Sequence, residues 1–539
     1  MVGPLWGCPN NPSARQLRRP AILDMAIIGA YFAIILAIGV FSRVPKDVSP
    51  EEYFLSSRSL RWPTIAMSTI ATNIQAGHFM GMAGSAYLYG LAQANLEINA
   101  IFGIVICVFF FVPLFLRMKA VTLTQFFECK FGPRVALTYS SLMIVLYGVL
   151  MLGGALYWAA YAVETLFGEQ VAVLGGDVRL RLLAIIVALG AFSAFYTYLG
   201  GLTAVVRTDV AQLILLLCGG IVTVVLAVRH LGGWSQLWEK TPSLMHLHLP
   251  ADHPTLPWTA LFGMNLLNLN YWGANQVILQ RALAAKDKRH AQIGLLVGGA
   301  MKYVMAIIVI VPGIALAGIL LEQPLDDPDK AYATLINLLL PTGLRGLILC
   351  GLFASIMSTV DSIFNSISTM WSIDIYKRHI RPNASDTDIV RTGKRAIVGA
   401  LITGVTFAFV MVQIKYSNPD TAFTHWFNQA TYFIKNGFVL LILSAAFLYE
   451  PSRRLVLVGL IASVPLTALF TWGFEDMNYF VSSGWVILLS FAIVAVPAAV
   501  ASRGKRLVPE ALCDLSDKTV NWLGAILLGT LLLAHVVFS

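Results

Sequence analysis

Thr72-Asn73-Ile74-Gln75-Ala76-Gly77-His78 lies in the middle of an otherwise apolar stretch, residues 62–89. A helix crossing a bilayer needs about 20 mainly apolar residues, because hydrocarbon offers no partner to an open backbone. Polar side chains and a glycine at mid-span therefore mark an interrupted helix, whose free carbonyls and helix ends face a ligand. A second stretch, 257–279, has the same character, with Asn265, Asn268, Asn270, Gly273, Asn275 and Gln276. Paired broken helices are the sign of a transporter built from inverted repeats. If the two breaks correspond, each opens a five-helix repeat, residues 62–230 and 257–448. Residues 1–61 then carry an N-terminal segment and one helix, and 449–539 carry three more.

The rest of the chain agrees. It is 58% hydrophobic and only 12% charged, whereas soluble domains are about 25% charged. Apolar segments at roughly 24–42, 62–89, 95–117, 135–165, 181–201, 208–230, 257–279, 290–320, 342–374, 394–413, 422–448, 453–473, 480–501 and 520–538 make about fourteen spans of an all-α integral membrane protein. The net charge of +9 does not point to nucleic acid. The basic residues sit in short clusters between the spans, such as Arg281, Lys286, Lys288 and Arg289, or Lys377, Arg378 and Arg381. Most fall in alternate loops, starting with the loop after the first helix. By the positive-inside rule both termini lie outside a multi-pass protein of the cell (plasma or inner) membrane. The six cysteines, Cys8, Cys107, Cys129, Cys218, Cys350 and Cys513, show no metal or disulfide spacing. No nucleotide loop or nucleophile–base arrangement suggests an enzyme, and no cofactor is expected.

Four stretches carry a likeness to a known family. They are Arg58-Ser-Leu-Arg-Trp62 leading to Ala71–Gly81; Gly200-Gly-Leu-Thr-Ala-Val-Val-Arg-Thr-Asp-Val-Ala-Gln212; Tyr271-Trp272 with Asn275-Gln276 and Gln280-Arg281; and Ser355–Ser366 followed by Asp374-Ile-Tyr376. The chain resembles the solute:sodium symporter family, and within it the sodium–glucose/galactose cotransporters, over nearly its whole length to about residue 450. The resemblance implies a LeuT-type 5+5 inverted repeat, with one helix before and three after. It also implies sodium-coupled symport of a small neutral sugar by alternating access.

Sodium is a hard cation that prefers oxygen ligands. The resemblance places it at the carbonyls of Ala71, Ile74 and Ser355 and the hydroxyls of Ser358 and Thr359. Ser355, Ser358 and Thr359 share one helix face at i, i+3 and i+4. On their own these hydroxyls would read as groups bonded back to their own helix. Asp209 is expected either to help sodium enter or leave, or to be an interfacial carboxylate paired with Arg207. For the sugar, the resemblance points to His78, Glu97, Asn268, Tyr271, Lys302 and Asn428, or Gln429 if the register slips by one. Glu97 and Lys302 are intramembrane charges, which are costly and functional by default. A structural Glu97–Lys302 ion pair is the alternative.

Two residues depart from the family pattern. Asp361 stands where sugar-transporting members carry a neutral residue, and Lys435 stands where family members have a Gly/Pro-rich bend. An Asp361–Lys435 pair would explain both. His246, His248 and His253 are expected to be solvated loop histidines. Sodium binding first would tie the broken helix to the 342–374 helix and organise the sugar residues. Another solute such as a polyol, nucleoside or amino acid is the alternative cargo. A non-concentrating sensor or channel is the alternative function.

Overall fold

The computed structural model describes residues 22–45, 47–75, 77–325, 328–417, 423–502 and 513–539. Among them, eleven helices are long and apolar enough to cross a membrane. The difference from the expected fourteen arises at three places. The Trp62–Asn73 and Ala260–Gly273 helices are cut short by their breaks, to 12 and 14 residues. Segments 181–201 and 208–230 form two helices that abut with no loop between them, within Val178–Leu231. They meet at Gly201, where the backbone leaves helical geometry with φ +55° and ψ −144°. A Cβ there would sit 2.3 Å from the Tyr53 carbonyl oxygen, so only glycine fits.

Both expected breaks are present. The first helix carries Pro63 in its first turn and ends at Asn73, and Ile74 after it is extended at φ −86°, ψ 127°. Helical structure resumes around His78, whose Nδ1 accepts from the Gln75 amide at 3.0 Å. In the second, Asn275 is extended and its side chain caps the resumed helix Gln276–Leu283 by accepting from the Val277 amide at 2.9 Å. The Ala274 carbonyl freed by this break accepts from the Tyr139 hydroxyl at 2.7 Å.

Helix Leu344–Ile380 runs through the centre. In its apolar window 94% of residues are buried within the protein, against 22% for Lys518–Val537 at the periphery. Small residues let its neighbours close in. A Cβ on Gly294 of helix Lys288–Ile319 would meet Ile65 of the first broken helix at 2.7 Å. Helix Phe423–Phe447 is continuous through Lys435.

The last helix returns to the loop before the second break. The Leu247 amide donates to the Phe538 carbonyl at 2.7 Å. His248 Nε2 and His535 Nδ1 are 2.9 Å apart, with the rings stacked at 5.1 Å. His253 accepts from the Thr255 and Leu256 amides. His248 and His253 hold a loop in place, contrary to the expectation of solvated side chains, while His246 is exposed as expected. At the opposite end of the last helix, Lys288 donates to Asp514 at 2.6 Å. That bond, with those from Ser516, holds the Asp514 carboxyl at about 2.

Candidate functional site

The first break supplies oxygens to the central helix. Thr359 Oγ1 lies 3.1 Å from the Ile74 carbonyl, 3.1 Å from the Ser355 carbonyl and 3.3 Å from that of Thr72. Ala71 is buried in the last turn before the break. Carbonyls of a broken helix and a hydroxyl of its neighbour thus converge away from water. Such neutral oxygens suit a hard monovalent cation that must also leave. The Ser355 hydroxyl bonds back to Leu352 O at 2.8 Å. The Ser358 hydroxyl turns to Asp209 and donates to Oδ1.

Asp209 does not pair with Arg207, which instead reaches Ser42. Its counter-ion is Arg281, with Nη2 3.3 Å from Oδ2 and both side chains fully buried. The Ser68 hydroxyl also donates to Oδ2, at 2.5 Å. Arg281 further donates to Ser68 at 3.1 Å, to Thr72 at 2.8 Å, and to Ser362 and the Val277 carbonyl. One guanidinium therefore ties together both broken helices, the central helix and the Val178–Leu231 helix. Counting basic residues by loop had placed Arg281 in a cytoplasmic loop. The signal that could have found it was the row of hydroxyls, Ser68, Thr72 and Ser362, offered by the neighbouring helices.

Asp361 lies next to this cluster and is fully buried. It accepts from Tyr196 at 2.7 Å, from Ser362 at 3.3 Å and from Thr208 at 3.5 Å. It makes no pair with Lys435. Lys435 points elsewhere, over the Tyr432 ring at 5.4 Å from its centroid.

A second cluster grows from the same break. Because His78 Nδ1 accepts from the Gln75 amide, its proton sits on Nε2, which donates to Glu97 Oε1 at 3.1 Å. Glu97 Oε2 accepts from Lys302 at 2.5 Å. Lys302 also donates to Asn73 Oδ1, and the Asn73 amide donates to the Tyr271 hydroxyl at 2.9 Å. Glu97 and Lys302 are only 3% and 2% exposed. The chain of bonds runs from one side of the first break back to the other and ends on the second broken helix.

These residues line a cavity of about 270 Å³ with Asn268, Asn270, Trp272, Tyr432 and Lys435. That is near the lower end of ligand pockets, about 300–1,000 Å³. Its wall combines a paired carboxylate and ammonium, amides and aromatic faces, which suits a small hydroxylated solute. The structure thus brings together His78, Glu97, Asn268, Tyr271 and Lys302. The Asn428 side chain lies outside the described residues. Gln429 lines an adjoining cleft with Asn436 and Thr467.

Comparison with known proteins agrees with this geometry. The model of the sodium:solute symporter family matches residues 53–453. A sodium/glucose cotransporter of Vibrio parahaemolyticus is 31% identical over 506 residues, covering 88% of this chain and 90% of that protein. A sodium/myo-inositol cotransporter 2 of Oryctolagus cuniculus is 30% identical over 463 residues, covering 77% and 67%. The solved structure of a Na+-coupled sialic acid symporter, substrate-bound and outward-open, superposes with a TM-score of 0.77 at 20% identity. It covers 91% of this chain and 99% of that one. The fold is the all-helical LeuT-type fold that the family resemblance implied. With a buried oxygen cradle and a polar cavity hung on one helix break, and the family model matched over most of its length, the chain belongs to the sodium:solute symporter family.

Proposed function

We propose that the protein carries a sugar inward with sodium by alternating access, through a 5+5 inverted repeat framed by residues 62–230 and 257–448. The observation that carries this reading is that both sites share one break. Ile74 faces Thr359, while Asn73 and His78, one and four residues away, hold Lys302 and Glu97. A cation bound among the carbonyls of Ala71, Ile74 and Ser355 and the hydroxyls of Ser358 and Thr359 fixes the break. A fixed break presents Glu97 and Lys302 ready-oriented, so less ordering remains when sugar binds. One charge crossing 100 mV releases about 2.3 kcal/mol, enough for about a fifty-fold sugar gradient.

In this reading Glu97 accepts from sugar hydroxyls, Lys302 and Asn268 bond to them, and Tyr271 closes the inner side. Asp209, clamped by Arg281 beside Ser358, lies on the sodium route. Both termini lie outside the cell membrane, as the distribution of basic residues among the loops supports. A polyol cargo is the second reading, supported by the likeness to a myo-inositol cotransporter.

Glu97→Gln tests the sugar site. A hydrogen bond to a charged group contributes about 1.5–3 kcal/mol, so the half-saturating sugar concentration should rise about 10- to 100-fold. The measurement is sodium-driven uptake of labelled solute into proteoliposomes, with glucose, galactose and myo-inositol as competitors. Unchanged sugar affinity in this variant would remove Glu97 from the site. Competition by myo-inositol alone would favour the polyol.

A further inference from the structure

The cavity holds one more charge than a neutral sugar requires. Tyr432 and Lys435 lie at i and i+3 on helix Phe423–Phe447, and both line the cavity. The ammonium of Lys435 lies over the Tyr432 ring. The ring's negative face offsets only part of the cost of a charge at this depth.

Glu97 is the one carboxylate among the described residues of the lining. Both of its oxygens are engaged, Oε1 by His78 and Oε2 by Lys302. Glu97 and Lys302 balance each other. Asp361 is satisfied elsewhere by the hydroxyls of Tyr196, Ser362 and Thr208. Among the described residues no carboxylate pairs with Lys435, so the cavity carries a net positive charge. A charge kept in a small, partly desolvated site is satisfied when its counter-ion arrives with the ligand.

We propose that the transported sugar is acidic, a uronate-type ring whose carboxylate pairs with Lys435 while its hydroxyls meet Glu97, Lys302 and Asn268. This rests on the sugar reading above and changes the neutral sugar expected from the sequence into an anionic one. The chemistry is that of a monosaccharide of one ring, given the cavity of about 270 Å³.

The test uses the full chain in proteoliposomes under an inward sodium gradient, with labelled galacturonate and glucuronate against galactose and glucose. The wild type should take up a uronate with a half-saturating concentration at least tenfold below that of its neutral parent. Lys435→Gln should raise the uronate value about tenfold or more and cut the preference for uronate over its neutral parent by a similar factor. Equal or better affinity of the wild type for the neutral sugar overturns the proposal, and so does an equal effect of the substitution on both. The wild-type comparison decides alone should the variant not fold. Sodium-driven uptake of neutral sugar without uptake of uronate overturns this inference only. Absence of sodium-driven uptake of either class overturns the sugar reading as well.

Discussion

Arg281→Met should yield a protein that melts well below the wild type in detergent, having lost about 3–5 kcal/mol of stability. The reason is the company Arg281 keeps. It is fully buried and pairs with Asp209, which is fully buried too. Removing the guanidinium leaves that carboxylate with hydroxyl donors from Ser68 and Ser358 but no cation. It also removes the donor to Thr72, Ser362 and Val277 that joins the two broken helices to the centre. The double variant Arg281→Met with Asp209→Leu should recover part of the loss, because a neutral pair leaves no buried charge. Thermal unfolding of purified protein checks both. A single variant within about 1 kcal/mol of wild type would mean that the pair is not the clamp described above.

Ser358→Ala with Thr359→Ala should give the second large effect. The Thr359 hydroxyl that faces the Ile74 and Ser355 carbonyls and the Ser358 hydroxyl that donates to Asp209 both disappear, while those carbonyls stay. Each tenfold loss of ion affinity corresponds to about 1.4 kcal/mol, and on the proposed sodium site losing both hydroxyls should exceed that. The sodium concentration for half-maximal uptake should rise at least about tenfold. Sugar affinity measured at saturating sodium should change much less, since Glu97 and Lys302 are untouched. A variant with unaltered sodium dependence would place the ion elsewhere.

Much of this was legible in the sequence because polar residues stand out against hydrocarbon. Thr72–His78 and Asn265–Gln276 could not be ordinary mid-span helix, and both stretches are indeed broken. Glu97 and Lys302 were visible as intramembrane charges for the same reason, and they meet at 2.5 Å. Arg281 was not legible, since a loop count cannot separate an arginine at the water surface from one folded back among hydroxyls. The Asp361–Lys435 pair failed because charge alone was matched to charge. Asp361 found neutral donors, and Lys435 found an aromatic face and a cavity. The count of long helices differs from the count of apolar segments because two helices abut at Gly201 with no loop between them and the two breaks shorten their helices.

Coupling itself is tested most directly by purified protein in sealed vesicles. Labelled solute is offered under an inward gradient of sodium, of potassium or of choline at equal ionic strength. Accumulation above the outside concentration with sodium alone, collapsing when the gradient is dissipated, is the predicted result. Equal accumulation with all three cations would contradict it.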